Sequence, residues 1–214
     1  MELYSYWRST AAWRVRIALA LKGLTPRHLP VHLVRQGGEQ HAAGYRARNP
    51  LELVPTLMVD GRALTQSVAI VEWLEEQYPT PPLLPANAWG RAQAREIALL
   101  IACDIHPLDN LRVLQYLTAT LGITEEQKLA WYGHWVATGL RALEAMLCEN
   151  TARGRYCVGE QPTLADLCLV PQLYSARRFK VDLTPYPTLV AIDAACVVLE
   201  PFQRAAPDAQ PDAE

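Results

Sequence analysis

Prolines at 79, 81, 82 and 85 interrupt the stretch from Tyr78 to Pro85, and the residue pattern before it differs from the pattern after it. Proline lacks the N–H that a helix interior or a central strand uses, and its ring fixes φ, so this run reads as a connector. Ahead of it, Glu2 to Trp7 is short, apolar and aromatic, as a strand would be. Ala11 to Leu21 sets Val15, Ala18 and Leu19 at helical spacing before Gly23 ends the helix. His28 to Val34 reads as a second strand, and a strand–helix–strand order implies parallel pairing. Residues 35 to 50 are polar, with a short helix expected around Gln40 to Arg48. Thr56 to Val59 and Arg62 to Thr65 flank Asp60-Gly61, a hairpin signal because the primed turn needs positive φ. Ser67 to Gln77 then reads as a helix with Ser67 as its N-cap.

After the prolines, strand signals almost vanish. Helices are expected at about 91–120, 125–148, 163–177 and 187–200, with starts marked by Thr124-x-x-Gln127 and by Thr163-x-x-Asp166, where Thr163 caps backbone donors. The tail from Ala205 to Glu214 is rich in Pro, Asp and Ala and reads as loose. The expected organisation is an α/β domain over 1–80, a linker over 81–88 and an all-helical domain over 89–214.

Charge and cysteine usage narrow the function. Net charge is -2 with 20% charged residues, which offers no basic surplus for nucleic acid or an anionic membrane. The segment MELYSYWRST has no basic region leading into an apolar run, so a cytoplasmic location is expected. The five cysteines, at 103, 148, 157, 168 and 196, are widely spread with no Cys-x-x-Cys pair, so no disulfide framework or metal site is expected. Most of them sit among apolar residues and read as buried small hydrophobes.

Three short constellations carry chemistry. In Arg8-Ser9-Thr10, a hydroxyl at a helix start either caps free N–H groups or meets a bound anion in the same positive field, and a thiol placed there would ionise more readily. Val54-Pro55 precedes a strand, where an X-Pro bond is ordinarily trans. Gln66-Ser67 opens a helix whose first N–H groups, with the hydroxyl and amide, suit a carboxylate. Taken singly, the two hydroxyl motifs read equally well as caps.

In order and spacing these motifs follow thioredoxin-like glutathione-binding domains, and nearly the whole chain resembles the zeta class of glutathione transferases, the maleylacetoacetate and maleylpyruvate isomerases. The resemblance rests on Arg8-Ser9-Thr10-Ala11-Ala12-Trp13-Arg14-Val15-Arg16, on Val54-Pro55-Thr56-Leu57, and on Gln66-Ser67-x-Ala69-Ile70-x-Glu72. It continues through Ile105-His106-Pro107-Leu108-x-Asn110-Leu111, Thr163-Leu164-Ala165-Asp166 and Arg178-Phe179-Lys180-Val181-Asp182-Leu183. It implies an α/β thioredoxin-like N-terminal domain followed by an all-α C-terminal domain, with glutathione as coenzyme and a homodimer as the assembly.

The resemblance also implies roles. Ser9 and Thr10 match the hydroxyl pair beside the glutathione sulfur. Val54, before what would be a cis Pro55, matches the backbone partner of the cysteinyl moiety. Gln66 and Ser67 match the binders of the γ-glutamyl end, and Gln40 the loop position used for glutathione. His106, Asn110 and Arg112 fall on the contact stretch of the second domain. Arg8 and Arg178 are the candidates for the carboxylates of a small dicarboxylic dioxo acid, with Arg177 competing for the position of Arg178. Arg14 and Arg16 read as structural. Ala11 stands where the family usually has cysteine, which excludes cysteine chemistry there, and His106 and Arg112 are more basic than the family's glutamine and serine.

The activity implied is glutathione-dependent conversion of maleylpyruvate to fumarylpyruvate in aromatic (gentisate) catabolism, ahead of maleylacetoacetate in tyrosine catabolism because of the basic residues at 106 and 112. A glutathione transferase or dehalogenase acting on small α-halo acids is the competing enzymatic reading. A non-catalytic module of the same fold is disfavoured by the complete Ser9, Pro55, Gln66-Ser67 set.

Overall fold

The computed structural model describes residues 1–150 and 153–214. Its strands are β1 (Glu2–Ser5), β2 (Arg27–Pro30), β3 (Thr56–Val59) and β4 (Arg62–Thr65). Its helices are α1 (Thr10–Leu21), α2 (Ala43–Arg46), α3 (Ser67–Gln77), α4 (Ala88–Leu99), α5 (His106–Asp109), α6 (Leu111–Ala119), α7 (Glu125–Glu149), α8 (Leu164–Arg178), α9 (Pro187–Val197) and α10 (Glu200–Ala205). The chain forms two compact units, one of Met1–Leu83 with Val197–Glu214 and one of Leu84–Cys196.

The first unit is built on a four-stranded sheet in the order β2-β1-β3-β4. β1 pairs parallel to β2, with Leu3 opposite His28, and antiparallel to β3, with Leu3 opposite Leu57. β3 returns as β4 through Asp60 at φ 48° and Gly61 at φ 78°, the two positive values a primed hairpin turn requires. Leu3 and Leu57 are fully buried, and Val15, Ala18, Ile70 and Leu74 bury the apolar faces of α1 and α3.

The proline stretch is fastened to this unit. Lys22 Nζ, buried at the end of α1, donates to Glu75 Oε2 at 2.8 Å and to the carbonyls of Tyr78 and Pro81 at 2.5 and 2.9 Å. The same Glu75 oxygen accepts from the N–H of Leu83 at 2.9 Å. Unit 1 therefore extends to Leu83, beyond the boundary at 80 expected from the prolines.

The tail is ordered rather than loose. Phe202, Ala205 and Pro207 are buried, and Gln210 Nε2 donates to the carbonyls of Arg204 and Ala206 at 3.0 and 2.9 Å. Composition suggested a solvated segment, but its side-chain amide and its buried apolar residues tie it to unit 1.

The second unit is helical. Asn87 caps α4 by accepting from the N–H of Gly90 at 2.7 Å. The single helix expected over 91–120 is divided: α4 passes into a π-helical turn over Leu100–Ile105, then α5, and Asn110 at φ −65°, ψ 145° starts α6 afresh. α7 begins on the expected capping box, with Gln127 Oε1 accepting from the N–H of Thr124 at 2.8 Å and Thr124 Oγ1 accepting from the N–H of Gln127 at 3.2 Å. At α8 Asp166 does most of the capping. Its fully buried carboxylate accepts from the Thr163 N–H and hydroxyl at 2.7 and 3.0 Å and from the Cys157 N–H at 2.9 Å. Cys157, Cys168 and Cys196 are buried as expected, whereas Cys103 and Cys148 are exposed.

Candidate functional site

Four residues, Tyr6 to Ser9, join β1 to α1. Ser9, at φ −70° and ψ 118°, caps the helix, its Oγ accepting from the N–H of Ala12 at 3.2 Å. The first turn of α1 holds no acidic residue, so its positive end is not neutralised from within the helix. Thr10 is buried as the first helical residue. Arg8 is half-buried, its guanidinium 5.1 Å from the centre of the Trp7 ring and its Nη2 3.4 Å from the Tyr6 hydroxyl.

Two further arginines of α1 are almost fully buried, 2% and 3% exposed at Arg14 and Arg16. Arg14 Nη1 donates to the Oγ of Ser67 at 3.3 Å, and Arg16 donates to Ser5 Oγ and to the carbonyls of Tyr6, Trp7 and Ala205. Burial lowers the Arg16 guanidinium to about 9, with Asp212 pulling it back upward, so it stays charged at neutral pH. Both arginines are buried and hydrogen-bonded within unit 1, Arg14 to the first residue of α3 and Arg16 to the backbone of the turn.

Gln66 stands at φ +69° before α3 and contributes no side-chain cap to it. Ser67 is therefore the first helical residue rather than the cap, and its hydroxyl is held by Arg14. No side chain caps the first N–H groups of α3, which leaves them able to receive an anion. The Val54–Pro55 bond is cis. Pairing of β3 with β1 stops at Thr56 opposite Tyr4, so the Val54 backbone lies beyond the end of the ladder. Val54 packs in one apolar cluster with Tyr6, Trp7, Val31 and Tyr45, which joins the proline loop to the turn before α1. Gln40 is buried. Its Nε2 donates to the Leu33 carbonyl at 3.3 Å, while its Oε1, itself buried, has no hydrogen-bond partner among the described residues.

These groups fit a short peptide thiol carrying carboxylates. Unit 1 presents a capped helix start without an acidic residue at Ser9, backbone beyond the end of the sheet ladder at Val54, a helix start without a side-chain cap beside buried Arg14, and a buried acceptor at Gln40 with no partner among the described residues.

The other candidates belong to the second unit. His106 Nε2 lies 3.4 Å from Asn110 Nδ2, and Asn110 caps α6 by accepting from the N–H of Arg112 at 3.1 Å. Arg112 is exposed. Arg177 and Arg178 are both exposed, but Arg177 is paired with the buried Asp193 at 2.7 Å. Arg178 instead lies over the Phe179 ring at 4.8 Å, and that ring stacks on Tyr132 with centroids 3.9 Å apart. Tyr132 is bonded to Ser175 Oγ at 2.8 Å, and burial raises its phenol, with the charges of Asp109 and Arg178 acting on it in opposite senses.

Comparison with known proteins decides the family. Residues 3–82 match the glutathione S-transferase N-terminal domain and residues 111–192 the glutathione S-transferase C-terminal domain. The chain is 54% identical to a maleylpyruvate isomerase of a Ralstonia species, over 99% of each chain. It superposes on the holo structure of a bacterial zeta-class maleylpyruvate isomerase with a TM-score of 0.97, at 53% identity and full coverage of both. The chain belongs to the zeta class of glutathione transferases.

The zeta-class fold also aligns it, at TM-score 0.96, 40% identity and full coverage of both chains, with a maleylacetoacetate isomerase of Methylobacterium extorquens whose structure holds malonate and glutathione. Among zeta-class features, the cysteine usual at the third position of the turn is absent here. Ala11 stands there, and all five cysteines fall in the second unit. Sequence reasoning missed Asp109 and Asp212. Asp109 is a lone acid between His106 and Asn110 in an otherwise apolar stretch, and that was the available signal. Asp212 gave none, because a carboxylate in a Pro-Asp-Ala tail reads as solvated.

Proposed function

We propose that the protein is a glutathione-dependent cis–trans isomerase that converts maleylpyruvate to fumarylpyruvate. The observation that carries this reading is the positive turn of unit 1: a helix start without an acidic residue, its backbone held by buried Arg16 and flanked by Arg8. Identity of 54% to a maleylpyruvate isomerase along the whole chain supports it. Maleylacetoacetate is the second reading, supported by the full-length likeness to a maleylacetoacetate isomerase.

Glutathione, when bound, supplies a thiolate that adds reversibly to the conjugated alkene and so frees rotation about the former double bond. Ser9 and Thr10 stabilise the sulfur's charge with the end of α1. Val54 offers its backbone to the cysteinyl moiety, Gln66 and Ser67 hold the γ-glutamyl carboxylate, and Gln40 offers its amide oxygen. Arg8 holds a substrate carboxylate and stabilises negative charge developing on the substrate, since guanidinium stays charged and forks onto a carboxylate in two parallel bonds. One such donor contributes about 3 kcal/mol to a transition state. Within the second unit, His106, Asn110 and Arg112 are assigned to glutathione and Arg178 to a substrate carboxylate.

The working form is a cytoplasmic homodimer. Among the described residues no helix is long and apolar enough to cross a membrane. Sedimentation as a monomer at micromolar concentration would refute the dimer. The activity is tested by adding glutathione and each maleyl dioxo acid to purified protein and following loss of the cis-enol absorbance. Faster loss with maleylpyruvate is the expected result, faster loss with maleylacetoacetate favours the second reading, and no glutathione-dependent change with either acid sinks both.

A further inference from the structure

Both peptide groups of Trp7 are held by residues outside the turn. Its N–H donates to Asp212 Oδ2 at 2.9 Å, and its carbonyl accepts from Arg16 Nη2 at 2.8 Å. The Tyr6 carbonyl accepts from Arg16 Nη1 at 3.2 Å and from the N–H of Ser9 at 3.0 Å. Arg16 Nε donates in addition to the Ala205 carbonyl at 3.0 Å, at the point where the tail leaves α10. The tail is secured at its other end by Glu214, whose Oε1 lies 2.5 Å from Arg35 Nη2 and 3.4 Å from His32 Nε2. Residues 205–214 thus form a polar strap over the segment that leads into Arg8 and Ser9.

We propose that Asp212, together with Arg16, is a positioning residue for the thiol-binding turn: the strap sets the path of Tyr6 and Trp7, and through them the placement of Arg8 and of the Ser9 hydroxyl. This rests on the glutathione-site reading of Arg8 to Thr10. The physical case is the scarcity of other backbone hydrogen bonds, since packing holds the Tyr6 and Trp7 side chains but not the path of their peptides. Between the last residue of β1 and the first of α1, the one local backbone bond to an N–H of the turn, among the described residues, is Ser9 N–H to the Tyr6 carbonyl. With one local backbone bond, the path of the four peptides depends on the bonds from Asp212 and Arg16, and a shift of that path moves both the hydroxyl at the helix start and the ring on which Arg8 rests. Displacements of about 1 Å in positioned groups cost on the order of a hundredfold in rate. Asp212 acts through the Trp7 backbone and touches neither coenzyme nor substrate.

The test compares Asp212→Ala and Asp212→Asn with the wild type, well below the melting temperature of each. Glutathione affinity is read by calorimetry and ionisation of the bound thiol by thiolate absorbance against pH, so neither measurement needs turnover. Asp212→Ala is expected to weaken glutathione binding about tenfold and to move the thiol titration to higher pH, because a misplaced hydroxyl stabilises the thiolate less. Asp212→Asn keeps an acceptor for the Trp7 N–H and is expected to restore both to within about twofold. A merely structural strap would lower the melting temperature of Asp212→Ala and leave affinity and titration unchanged, and that result overturns the proposal. If Asp212→Ala does not fold, a chain ending at Gln210 takes its place with the same expectation. Wild-type protein that fails to bind glutathione sinks the underlying reading and the proposal together; wild type that binds, with a variant that binds equally, sinks the proposal alone.

Discussion

Arg14 Nη1 lies 3.3 Å from Ser67 Oγ, so a guanidinium buried in α1 holds the first residue of α3. α1 and the start of α3 are thereby coupled through one side chain, and a carboxylate bound at the start of α3, as proposed, would lie near a fixed positive charge. Arg14→Met keeps the apolar stem and removes both the charge and the donor. Glutathione affinity is expected to fall about tenfold or more, as for a lost hydrogen bond to a charged group. Calorimetry on the folded variant checks this, and an unchanged affinity would remove Arg14 from the site.

Arg177 and Arg178 separate by their partners. Arg177 is engaged with buried Asp193, and burial raises that carboxyl while the arginine lowers it. Arg177→Ala is expected to reduce thermal stability and leave kinetics near wild type. Arg178→Ala and Arg8→Ala are expected to raise the substrate KM far more than the glutathione KM. Equal effects on both constants would move either arginine to the coenzyme.

Asp109 sets a pH dependence. Burial raises its carboxyl from 3.8 to about 8, and neither oxygen has a hydrogen-bond partner among the described residues. The unfolded chain releases this proton near its ordinary value of 3.8 and the folded chain only near 8. The folded state therefore binds the extra proton between those values, and this group's contribution to stability is lost as pH rises through that window. Asp109→Asn removes the titration. Its gain in melting temperature over wild type is expected to be smallest near pH 5 and largest near pH 8, and a gain independent of pH would show that the carboxyl does not titrate there.

Gly139 permits the close approach of α7 to Ile105. A methyl group at residue 139 would stand 2.2 Å from Ile105 Cγ1, and Ile105 is fully buried. Alanine raises helix propensity by about 1 kcal/mol over glycine, whereas forced overpacking costs about 1–3 kcal/mol. The clash involves a β-branched side chain with few alternative rotamers. Gly139→Ala is therefore expected to be destabilising, by about 1 kcal/mol net, as chemical denaturation would show.

The amino-acid sequence by itself determined much of this protein. The primed turn at Asp60-Gly61, the capping box at Thr124 and Gln127, the parallel opening unit and the change from α/β to helical pattern all follow from local rules: φ preference, hydrogen-bond valence at helix ends, and hydrophobic period. The turn Arg8-Ser9-Thr10 and the Gln66-Ser67 helix start were visible for the same reason, since each lies at a junction whose chemistry is local. Tertiary structure decided the rest. Ser67 gave up its capping role because Gln66 takes positive φ and Arg14 claims the hydroxyl, a partner 53 residues away. Asp109 became a proton-retaining acid because packing buried its carboxyl oxygens, and its neighbours in sequence show only that it stands alone in an apolar stretch. The tail changed from a solvated segment to a strap because Arg16, buried and in need of acceptors, found one at Ala205, while Asp212 found the N–H of Trp7. Pairings of that kind are chosen by which unsatisfied groups the folded chain brings within hydrogen-bond distance, and only the three-dimensional arrangement specifies them.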